Sequence, residues 1–85
     1  MGRIEEQTWL IGLAGILKES DTDKLMLNIG ELAGICMRNG EHDAMSTLDG
    51  LMERRAEAEL LSKRLRAGSS LSMGTLKKAS KGEIV

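Results

Sequence analysis

Apolar residues recur along most of this chain at intervals of three and four, the period of an α-helix rather than a strand. The clearest stretch is the second. Leu25, Ile29, Leu32 and Cys36 fall on one stripe, and Met26, Ala33 and Met37 widen it. Lys24, Asn28, Glu31 and Arg38 occupy the opposite side. Asn39-Gly40 ends this helix, because glycine adopts the left-handed conformation of a helix stop without penalty. A third helix is read over residues 43–67. Ala44, Met45, Leu48, Leu51 and Met52 form its apolar face. Charged residues follow, with Arg55/Glu59 and Glu59/Lys63 spaced four apart, and Gly68 closes it.

The first helix is read over residues 3–18, with Glu5 and Glu6 at its positive end and Lys18 at its negative end. Its pattern is unusual. Trp9, Leu10, Ile11, Leu13, Ala14, Ile16 and Leu17 point in nearly every direction, and only the strip of Thr8, Gly12, Gly15 and Glu19 escapes. A polar break, Glu19-Ser20-Asp21-Thr22-Asp23, separates it from the second helix. There Ser20 and Asp23 resemble a capping box with Asp in the place of Glu. The tetrad Leu13-Ala14-Gly15-Ile16 returns as Leu32-Ala33-Gly34-Ile35, so both helices set small residues where another backbone could come close.

Residues 69–85 are poor in apolar side chains and rich in Ser, Gly and Lys. They read as a flexible basic C-terminal tail with a short helix near Leu76. The expected fold is therefore all-α: a small three-helix bundle, or a helical hairpin plus an extra helix, in one helical domain of residues 1–68, followed by the tail.

Composition narrows the function. The 85 residues include no Pro, Phe or Tyr and a single Trp, which leaves room for one small domain and no base-stacking platform. One Cys excludes an intramolecular disulfide framework, and one Cys with one His cannot complete a typical structural zinc site. The glycines at 12, 15, 30 and 34 interrupt helix patterns and follow no strand, so no phosphate-binding loop is read. His42 stands at a turn beside Glu41 and Asp43 and reads as a solvated side chain. Cys36 lies in an apolar stripe and reads as a small hydrophobe. No catalytic residue, metal or cofactor is expected, and the chain is read as a non-enzyme.

The longest apolar run, residues 9–17, is nine residues long, against about twenty for a membrane span. Glu5 and Glu6 stand where a signal peptide needs basic residues. Glu6 also occupies the position at which a myristoylation signal, otherwise suggested by Met1-Gly2, requires Ser or Thr. No membrane association is expected. A cytoplasmic location is read, in keeping with the free Cys36.

Two functional readings follow. A helix that is apolar all round must be covered all round, and Leu27 and Ile35 lie off the main stripe of the second helix. Trp9, Ile11, Leu13, Ile16, Leu27 and Ile35 are thus candidate protein-interface residues. They point to a small helical adaptor, regulator or inhibitor that binds a protein partner or self-associates as a homo-oligomer. The alternative rests on charge. Residues 1–53 hold ten acids and four bases, net −6, and residues 54–85 hold three acids and eight bases, net +5. Arg54, Arg55, Lys63, Arg64, Arg66, Lys77, Lys78 and Lys81 are the candidate phosphate contacts of a nucleic-acid-associated regulator. Nucleic-acid binding is the weaker reading, since the acidic body repels a polyanion. A helix-turn-helix around Gly40 fails as well: Ser46 and Asp49 hold two of its core positions, and Glu41, Asp43, Asp49 and Glu53 would face phosphates.

Overall fold

The computed structural model describes residues 5–83, and all its regular structure is helical. Five helices follow one another: α1 (Glu6–Leu17), α2 (Thr22–Arg38), α3 (His42–Glu53), α4 (Arg55–Arg66) and α5 (Met73–Ser80). They form a compact bundle of 35 × 22 × 22 Å.

Local chemistry sets most of the ends. Glu5 caps α1 by accepting from the Thr8 amide at 3.3 Å. Asp21, one residue beyond the expected Ser20, caps α2 by accepting from the amides of Asp23 at 3.0 Å and Lys24 at 3.2 Å. Gly40 and Gly68 terminate α2 and α4 at φ of 74° and 105°. At each stop, the amide after the glycine reaches back to a carbonyl five residues earlier: Glu41 to Cys36 at 2.8 Å, and Ser69 to Arg64 at 3.0 Å.

The expected third helix is two helices. At Arg54 the backbone turns to φ −118°, ψ 70°, ending α3 and starting α4. Nothing in Glu53-Arg54-Arg55-Ala56 disfavours a helix, so the break is tertiary in origin. An unbroken helix over 43–67 would run about 37 Å, longer than the molecule. The turn folds α4 back onto α1, where Ser62 Oγ donates to the Glu19 carbonyl at 3.0 Å and Leu61 and Leu65 are buried.

The segment read as a tail also differs from expectation. Ser72 caps α5 by accepting from the Thr75 amide at 3.2 Å, and α5 packs against α3 and α4 with Leu76 and Ala79 fully buried. The low apolar content of the segment concealed this, because one Leu and one Ala on the same face suffice to seat two turns of helix. The seat is close. A Cβ on Gly50 would lie 2.5 Å from the Ser80 carbonyl oxygen, and the Arg54 guanidinium donates to that oxygen at 3.1 Å.

Leucine dominates the core: Leu10, Leu13, Leu17, Leu25, Leu48, Leu51, Leu61, Leu65 and Leu76, with Ile29, Ala33, Cys36, Ala58 and Ala79. The expected stripe of α2 is present, with Leu32 at its half-buried margin. Among the described residues, no helix is long and apolar enough to cross a membrane.

Candidate protein-interaction face

The six apolar candidates separate. Leu13, 1% exposed, belongs to the core, and Ile16 is half-buried on the same side of α1. The additional helices explain this: α4 covers α1 more fully than a three-helix arrangement allows. Trp9 is half-buried against the core, and its indole N–H is buried with no acceptor among the described residues. Ile11 (65% exposed), Leu27 (64%) and Ile35 (43%) remain on the surface. Two exposed side chains escaped the sequence reading, Met37 and Met52, because helical spacing alone assigned them to apolar faces.

At about 100° per residue, the outward side of α2, opposite Leu25, Ile29 and Cys36, carries Leu27, Gly30, Glu31, Gly34 and Arg38. Ile35 and Met37 flank it. From α3, the thioether of Met52 lies over Gly30, its Cε 3.4 Å from where a Cβ would be. Only the Arg38 guanidinium, at 3.5 Å, comes near the corresponding point of Gly34. The face thus carries Leu27 exposed at one end and two glycines, Gly30 beneath the Met52 thioether and Gly34 beneath the Arg38 guanidinium. Glu31 and Arg38 stand on it exposed, and neither forms an ion pair among the described residues.

The basic candidates do not assemble into one site. Arg54 is committed to the Ser80 carbonyl of α5. Arg55 pairs with Asp23 across to α2 at 2.6 Å, and that carboxylate holds the guanidinium above its ordinary pKa. Arg66 reaches Ser62 Oγ at 3.4 Å. Lys63, Arg64, Lys77, Lys78 and Lys81 are exposed, the first two on α4 and the other three on α5 and its C-cap. Lys63 and Arg66 border a cleft of about 400 Å³ together with Glu19 and Glu59, and Lys77 borders one of about 230 Å³ with Glu6, Glu41 and Asp43. Acids line both clefts, which is unfavourable for a phosphate.

Cys36 is buried, and that burial pushes its thiol pKa up, away from the reactive thiolate. Burial is the dominant cause of the shift. His42 is exposed at the start of α3 and does not share a cleft with it. Among the described residues, no three His, Cys, Asp or Glu side chains are placed to hold a metal ion. No family model, curated protein or solved structure matches this chain.

Proposed function

We propose that this small all-helical domain is a non-enzymatic adaptor, regulator or inhibitor that works by protein–protein contact and self-associates through the outer face of α2. One observation carries the reading: Leu27, Ile35, Met37 and Met52 are exposed on or beside a single face, while the other large apolar side chains among the described residues, Ile11 on α1 apart, are buried or half-buried. Lone exposed hydrophobes are ordinary, but a grouped set on and beside one helix face marks a surface for another protein.

Sedimentation velocity tests the proposal. The wild-type chain is expected above its monomer mass of 9.2 kDa at roughly tens of micromolar, with mass rising with concentration. Leu27→Asp should return it to the monomer with unchanged helix content by circular dichroism, since Leu27 is 64% exposed within the chain. A 9.2 kDa species across the whole range overturns the reading.

A further inference from the structure

Resting on that reading, we propose that the occupant of the α2 face is a second copy of the same face, packed antiparallel across a two-fold axis at the level of Leu32. The face complements itself in charge. Around that axis Gly30 of one copy meets Gly34 of the other, and Leu27 meets Met37. Leu27 and Met37 close the two ends of the seam, Met52 fills it over Gly30, and at Gly34 only the flexible Arg38 side chain lies in the way.

The charges fix the direction. The Arg38 side chain already folds back along α2 to lie over Gly34. In the antiparallel pair, Gly34 of one copy stands opposite Gly30 of the other, so this guanidinium is delivered beside Glu31 of the second copy. Symmetry makes the contact twice. Within one chain neither charge is paired among the described residues, and both are exposed. A parallel pairing would instead set Glu31 beside Glu31 and Arg38 beside Arg38. An isologous contact of this kind uses the same patch on both subunits and closes at the dimer.

Charge exchange tests the arrangement by sedimentation equilibrium on the full chain. Glu31→Arg and Arg38→Glu should each raise the dimer dissociation constant by about ten-fold, because each puts like charges together twice. The double variant Glu31→Arg/Arg38→Glu should recover wild-type affinity. The two single variants, mixed, should pair with each other in preference to themselves. Gly34→Gln should abolish the dimer while leaving the fold intact, since only the flexible Arg38 side chain lies near that position. A wild-type dimer that is indifferent to the single exchanges, or not restored by the double, overturns the antiparallel register and leaves self-association standing. A closed trimer or tetramer overturns it likewise. A monomer at every concentration overturns both readings.

Discussion

Gly50 is where the fold makes its sharpest demand on a single residue. In a helix interior, alanine is favoured over glycine by about 1 kcal/mol, so propensity alone predicts that Gly50→Ala stabilises the protein. The packing predicts the reverse. The new Cβ would stand 2.5 Å from the Ser80 carbonyl oxygen and 3.0 Å from the Ser80 Cβ, where ordinary contact begins at 3.4 Å. That oxygen is backbone, held in α5 and bonded to Arg54, so α5 as a whole must withdraw by about 0.9 Å, the difference between 3.4 and 2.5 Å. Overpacking of this kind costs about 1–3 kcal/mol. Loosening the seat of Leu76 and the Arg54 bond adds to it, so the net loss is expected at about 1–2 kcal/mol. Gly15→Ala is the control. Nothing lies within 4 Å of its new Cβ, and it should gain about 0.5–1 kcal/mol. Paired urea melts, analysed at a common slope, measure both. If Gly50→Ala is as stable as the wild type while Gly15→Ala gains, α5 does not sit against Gly50 and the packing argument fails.

Leu76→Ala should cost about 2–5 kcal/mol, the loss for emptying a fully buried leucine site; a change under about 0.5 kcal/mol in the same melts would show α5 detached from the core. Because burial raises the Cys36 pKa in the folded state, the unfolded chain deprotonates first; stability should hold below the thiol's ordinary value of 9.0 and decline as pH rises above it, and Cys36→Ala should flatten the decline. Binding to duplex or single-stranded nucleic acid should be no tighter than about 10 μM at roughly 150 mM salt, measured by fluorescence anisotropy; sub-micromolar binding lost on deleting residues 69–85 would restore the basic segment as a functional site.

Much of the architecture is written locally. The α2 stripe, the stop at Gly40 and the stop at Gly68 each depend on residues within a turn or two, and each is where the pattern places it. The break at Arg54 has no local mark: it exists because α4 must lie on α1, and only the assembled chain imposes that. The seat of α5 depends on the missing side chain of Gly50, which sequence shows only as a weak helix former. Buried polar residues were equally silent. Ser62 is inside because the Glu19 carbonyl needs a donor. Glu57, 8% exposed, lies in the first turn of α4, where the helix dipole favours a carboxylate. On the surface, Ile11, Leu27 and Ile35 were legible as excess apolar residues, of which Leu27 and Ile35 belong to the candidate face. Leu13 was not separable from them, since a helix apolar all round does not say which sides its neighbours will cover.

Trp9 has a consequence for any study of this protein's energetics. It is the chain's one aromatic residue, and it rests half-buried on α1 against the leucine core. Intrinsic fluorescence therefore carries no averaged signal: it reads the seat of the first helix beside Ala44 and Thr47 of α3 and Met73 of α5, which line one cleft with Trp9. Circular dichroism, by contrast, weighs all five helices by length. The distance between the two unfolding curves is then a direct measure of how strongly α1 is coupled to the other four. Coincident curves mean a single cooperative unit; an earlier fluorescence transition means that the leucines of α1 leave first and uncover the others while most of the helix persists.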